Sequence, residues 1–172
     1  MKAIADGFRK VPIAALRLVL RYDPLTGKLY WRVKPSGQVS VGDEAGSIEA
    51  SGHRRIGVFG EQILAHRIAF ALYYGRWPAS VLDHKDRNRD NNRIKNLREA
   101  TNGRNRANAR GTSKSGYRGV TIEKNGKFRA EIRFEKKLHY LGVFDDPEEA
   151  AAVYQAAAYA MHGEFAFLGA PT

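Results

Sequence analysis

Cysteine is absent from the 172 residues. That excludes a disulfide-stapled scaffold and fits an intracellular life. No apolar stretch approaches the roughly 20 residues of a membrane helix, and the opening MKAIADGFRKVPIAALRLVL lacks the plan of a signal peptide. The expectation is a soluble, cytoplasmic protein with no membrane partner. Acidic residues are scarce in one stretch only: residues 76–137 hold 18 Lys and Arg against 7 Asp and Glu, whereas the remainder has 11 of each. A solubilising charge need not be segregated in this way. A basic excess confined to one segment favours a polyanion, because each neutralised phosphate releases condensed counterions. The length allows one or two small domains with modest cores.

The stretch that organises the chain is residues 81–110, VLDHKDRNRDNNRIKNLREATNGRNRANAR. A short apolar run, Val81 and Leu82, delivers adjacent Asp83 and His84. A loop crowded with Asp, Asn and Arg then leads to a second run at 94–100. This reads as a hairpin whose loop is held by side-chain hydrogen bonds. Thr101 stands at an N-cap position and opens a polar helical segment carrying Asn105. Asp83 offers a carboxylate and Asn105 an amide carbonyl, hard oxygen donors suited to one divalent ion, Mg²⁺ or Mn²⁺. His84, with an imidazole titrating near neutrality, can take a proton from an attacking water while the ion stabilises charge on a departing oxygen. That is phosphodiester hydrolysis chemistry.

The pattern Asp83-His84, eleven residues, Asn96, eight residues, Asn105 resembles the ββα-metal motif of HNH endonucleases, in the form whose last position is Asn. His66-Arg67, Trp77-Pro78 and the run NNRIKNLREAT at 91–101 resemble phage and homing-type members in particular, so the cytoplasm would be that of the host cell if the protein is phage-encoded. The resemblance implies that His84 is the general base and that Asn96 braces the loop. It implies too that Asp83 and Asn105 hold the metal ion, with Asn102 and Asn108 as the alternatives to Asn105. Without cysteine, the zinc ribbon that supports some HNH proteins is excluded.

Upstream, residues 12–20 predict a short amphipathic helix starting at Pro12. A turn at 22–27 precedes a strand at 28–33, and glycines between 37 and 60 punctuate a small antiparallel β platform. His53 reads as a strand surface residue, since no second ligand lies at a useful spacing. The periodicity of 63–74 predicts a buried helix ended by Gly75, with His66 as a packing residue within it.

Residues 111–115 read as a linker between a 1–110 domain, with its core at 81–110, and a domain at 116–172. Strands are expected at 117–122, 127–134 and 136–144, joined by turns at 124–126 and 135–136. In the middle strand Phe128, Ala130, Ile132 and Phe134 alternate with Arg129, Glu131 and Arg133. Asp146-Pro147-Glu148-Glu149 caps an alanine-rich helix over 148–161. YRGV, GKFRAEI, YLGVF and EEAAAVYQAAAYAMHG resemble the AP2/ERF DNA-binding domain, which implies a three-stranded sheet laid in the major groove. Arg118, Arg133 and Tyr140 are carried over by position, Tyr140 where the family commonly has Trp.

The expected fold is thus α+β: a ββα-metal motif on a small β platform with helices, then a three-stranded antiparallel sheet plus one helix. The expected function is a metal-dependent endonuclease acting on double-stranded DNA, with no obligatory protein partner. Its DNA contacts are Arg93 and Arg104 in the first half and Arg118, Arg129, Arg133 and Tyr140 in the second. The alternative is a non-catalytic, sequence-specific DNA-binding regulator with a degenerate HNH scaffold. A structural RNA-binding protein is disfavoured, because the aromatics fall on packing positions rather than on an exposed stacking stripe.

Overall fold

The computed structural model describes residues 11–35, 37–101 and 113–166. Its chain divides into two compact units, Met1–Glu99 and Ala100–Thr172, and the fold is α+β with open antiparallel sheets. Among the described residues no helix is long and apolar enough to cross a membrane.

The first unit opens with helix α1 (Ile13–Val19), preceded by Pro12 as expected. The helix stops one residue short of the sequence expectation, since Leu20 already belongs to strand β1 (Leu20–Tyr22), paired with β2 (Leu29–Trp31). Asp23 closes the turn between them by accepting from the Leu25 N–H at 3.0 Å. The platform is a three-stranded sheet of β3 (Ser47–Ile48), β4 (Arg54–Val58) and β5 (Glu61–Leu64). Helix α2 (Ala65–Tyr74) follows β5 without a loop and ends at Gly75, whose φ of 69° is the left-handed C-cap. Ile63 and Leu64, expected in this helix, are strand instead: they pair with Ile56 and Arg55 of β4. Both periodicities bury Ile63, so the apolar pattern alone cannot place the boundary. Leu16, Leu20, Leu29, Ile56, Ile63 and Ile68 are buried in one cluster that ties α1, β1, β2, the platform and α2 together. A two-stranded ribbon is marginal alone, and this core is what the hairpin of β6 (Val81–His84) and β7 (Leu97–Ala100) packs on, through Leu97. Residues 94–96, expected as strand, form one turn of 3₁₀ helix ahead of β7. The helix expected after Thr101 lies outside the described residues.

The second unit is a sheet in the order β10 (Lys137–Phe144), β9 (Phe128–Phe134), β8 (Val120–Ile122), covered by helix α3 (Pro147–His162). β8 is shorter than expected, because Tyr117–Gly119 turn rather than extend. Gly119 has φ 70° and lies under the Tyr154 ring, where a Cβ would collide with it. The two turns fall where their residues predicted: Gly126 has φ 83°, and Glu135 and Lys136 both have positive φ. Asp146 caps α3 by accepting from the Glu148 N–H at 3.1 Å, with Pro147 at the first position. The alanines of α3 let it lie close on the apolar face, where Val120, Ala130, Ala150 and Ala151 form one buried cluster and Ile132, Tyr154 and Ala158 another. Of the expected linker, residues 111 and 112 lie outside the described residues; Ser113 and Ser115 turn their hydroxyls to the Val120 carbonyl at the start of β8.

Candidate active site around His84

His84 ends β6 and is 5% exposed. Its Nε2 lies 3.0 Å from Oδ1 of Asn92, itself 2% exposed. An amide oxygen only accepts, so Nε2 carries the hydrogen and Nδ1 of the neutral ring keeps the lone pair. Burial is the first reason that the His84 ring sits below its ordinary pKa. At neutral pH this imidazole is therefore a free base with a fixed tautomer.

The loop that carries Asn92 is fastened on several sides. The Arg54 guanidinium forks onto Asp90 at 2.9 and 3.2 Å, a charge-assisted bidentate pair. Arg89 donates to the Ser51 carbonyl at 2.7 Å, and the Tyr22 hydroxyl donates to the Asn92 carbonyl at 2.8 Å. Gly27, at φ 79°, lets the β1–β2 turn approach the backbone of Asn92 and Arg93 where no side chain would fit. Inside the loop, Asn96 donates to the Asp86 carboxylate at 2.9 Å and to the Asn91 carbonyl at 2.7 Å, and accepts from the Asp86 N–H at 3.0 Å. Burial would raise the Asp86 carboxyl, but the Asn91 and Asn96 amides and the Asn88 N–H outweigh it and hold the group below its ordinary pKa. The β6–β7 hairpin closes with the Lys85 N–H on the Asn96 carbonyl at 2.9 Å.

Asp83 and His84, adjacent on a strand, meet different surroundings, as alternation requires. Asp83 is 5% exposed and paired with Arg98 of β7, 2.9 Å from Nε and 2.8 Å from the terminal nitrogen. His84 instead meets two further imidazoles. Its ring centroid is 5.1 Å from that of His66 and 5.9 Å from that of His53, and His53 and His66 are 5.4 Å apart. One ring nitrogen from each of the three lies within 4.8 Å of the others. His53 therefore has potential co-ligands after all. They come from other elements rather than from a local spacing, which is why the sequence conceals them.

For a hard cation, Asp83 supplies a carboxylate donor of the right chemistry, buried and with its charge balanced by Arg98. The second expected donor, Asn105, lies outside the described residues, as do its alternatives Asn102 and Asn108. Arg104 lies there too. Arg93 is exposed, with its Nε donating to the Leu25 carbonyl at 2.8 Å. Asn92, Asp86, Arg98 and Arg54 were not singled out by sequence. The one signal that could have found them is the density of Asp, Asn and Arg in a loop that has no core of its own.

On the sheet of the second unit, Arg133 and Tyr140 are exposed, Tyr140 at 66%. Register places Tyr140 opposite Glu131 and Leu138 opposite Arg133, on the face away from α3. Arg129 is flanked there by Glu123 at 3.1 Å and Glu131 at 3.6 Å. Arg118 donates from Nε to the Tyr154 hydroxyl at 3.0 Å, which ties it to α3.

Residues 64–107 match the family model of HNH endonucleases. A 65-residue stretch is 49% identical to the ethylene-responsive transcription factor ERF117 of Arabidopsis thaliana, covering 37% of this chain and 19% of that protein. The solved structure of DNA binding and cleavage by the HNH homing endonuclease I-HmuI is similar at 31% identity, over 48% of this chain and 47% of that one, with a TM-score of 0.36. The chain thus spans less than half the length of either protein. The chain carries a segment similar to HNH endonucleases and a stretch similar to an ethylene-responsive transcription factor.

Proposed function

We propose that the chain is a metal-dependent endonuclease that hydrolyses phosphodiester bonds in double-stranded DNA. The observation that carries this reading is the state of His84: buried, neutral and oriented through Nε2 by Asn92. In the proposed reaction Nδ1 takes a proton from a water whose oxygen bonds to phosphorus, and the opposite P–O bond breaks. Asp83 and Asn105 would hold one Mg²⁺ or Mn²⁺, which supplies charge stabilisation at the scissile phosphate. Arg98 neutralises Asp83 until the cation does so. Asn96 keeps the loop, and through it Asn92, in place. Arg93 and Arg104 grip phosphate, while Arg118, Arg129, Arg133 and Tyr140 present the sheet of the second unit to DNA.

The Asp83–Arg98 ion pair favours one second reading, a DNA-binding regulator in which this pair permanently replaces the metal. Nicking of supercoiled plasmid in Mg²⁺, Mn²⁺ or EDTA separates the two. The endonuclease should nick only with the cation. His84→Ala should lower the rate by about 10²- to 10⁴-fold with DNA affinity almost unchanged. Equal nicking by wild type and variant, or none by either, would overturn the proposal.

A further inference from the structure

We propose that His53, His66 and His84 form a site for one borderline divalent cation, zinc foremost, and that filling it silences the nuclease by occupying the general base. The cation site stands on geometry alone; the silencing rests on the reading of His84 given above.

Three elements of one unit converge here. His53 immediately precedes β4, His66 lies in the first turn of α2, and His84 ends β6. One nitrogen of each ring lies within 4.8 Å of the others. Four-coordinate zinc, with Zn–N of about 2.0–2.1 Å, needs nitrogens about 3.3 Å apart, so modest ring rotation would close the trio. A ligating imidazole usually anchors its other nitrogen to an outer partner. His84 has Asn92 Oδ1 in that position, and His53 has Ser51 Oγ at 3.3 Å from its Nδ1. His66, 6% exposed, keeps a buried Nδ1 with no hydrogen-bond partner, a costly state that ligation or a ring flip would relieve.

The donor set selects the ion. Three neutral imidazoles without a carboxylate suit zinc and its borderline neighbours, not the oxygen-seeking Mg²⁺. Around the trio the positive charges of Arg67 and Arg89 oppose a cation, whereas the carboxylates of Asp86, Asp83 and Glu49 favour it. Asn92 engages Nε2 of His84, so a cation ligated by this ring and a water activated by it would both call on Nδ1.

The test uses the full chain, stripped with EDTA and titrated with Co²⁺ as the spectroscopic probe, then back-titrated with Zn²⁺. Wild type should develop the visible absorption of four-coordinate cobalt and lose it to one equivalent of zinc. Zinc should also raise its unfolding temperature. His53→Gln and His66→Gln should each weaken binding by about 100-fold or more and abolish the zinc-dependent thermal shift. His53 is only half-buried, so its variant keeps the test intact if His66→Gln does not fold. In excess Mg²⁺, added zinc should slow nicking by wild type, and His53→Gln should resist it. Absence of the cobalt band, or a band unaltered in the variants, overturns the site. A histidine-dependent band in a protein whose Mg²⁺-supported nicking ignores zinc upholds the site and overturns the silencing. The same band in a protein that never nicks upholds the site and removes the nuclease reading beneath it.

Discussion

Asp83 and Arg98 are buried against each other, with side chains 6% and 9% exposed, so any cation that Asp83 binds must take over the work of the guanidinium. Removing one member of a buried pair leaves an uncompensated charge and costs about 3–5 kcal/mol. Arg98→Ala should therefore lower the unfolding temperature strongly in EDTA. If Asp83 is a metal ligand, Mg²⁺ or Mn²⁺ should restore part of that loss, raising the variant's unfolding temperature more than the wild type's. Equal shifts in both proteins would remove Asp83 from the metal site. Asn92 acts at one remove, through the orientation of His84. Asn92→Ala leaves Nε2 without its acceptor and frees the ring to turn. A drop in kcat of about 10- to 100-fold with little change in KM is expected, with a stability loss of about 1–3 kcal/mol. Single-turnover nicking and thermal unfolding would measure the two effects separately.

Between elements, Glu99 of β7 fastens the segment that connects α2 to β6. It accepts from Arg76 at 2.7 and 3.2 Å and from the Ala79 N–H at 2.6 Å. Arg76, first among its partners, holds its carboxyl below the ordinary 4.5. A depressed carboxyl stabilises the fold above its unfolded pKa, and that contribution is lost as pH falls through the lower folded value. Glu99→Ala should cost about 1 kcal/mol at pH 7, discounted for partial exposure, and the gap to wild type should close below pH 4.5. Denaturation midpoints at several pH values would show it; a gap that persists in acid would mean Glu99 acts by packing. The contrast between elements shows what was legible beforehand. Asn125-Gly126, Asp146-Pro147 and Gly75 declare themselves because turn and cap geometry is local chemistry. Ile63 and Leu64 do not, because strand and helix both bury such a run and pairing with β4 decides between them. The chemistry of Asp83 and His84 is visible as a motif. The residues that surround them, Asn92, Arg98, His53 and His66, reach the site through tertiary contacts that no spacing encodes.

For the whole molecule the distribution of charge matters more than its total. The net +11 of the chain is all carried by residues 76–137, with +3 in 76–99 of the first unit and +8 in 100–137 of the second, so both units should grip phosphate and the second should carry the larger part of the salt dependence. On the sheet of the second unit Arg133 and Tyr140 are exposed, whereas Arg129 is flanked by Glu123 and Glu131 and Arg118 is tied to Tyr154. Arg133 and Tyr140 are therefore the better placed of the proposed contacts. Arg133→Ala should weaken binding and, if it loses one phosphate, make the slope of log affinity against log salt shallower by about one unit. Tyr140→Ala should leave that slope unchanged, since it removes no charge, yet shift the pattern of cut sites if the ring meets base edges. Neither variant should lower the nicking rate at saturating DNA, because neither residue belongs to the unit that carries His84. Binding isotherms across a salt series, with cut-site mapping, separate these effects. Affinity, salt slope and cut pattern all unchanged in both variants would mean that this sheet face is not how the protein engages DNA.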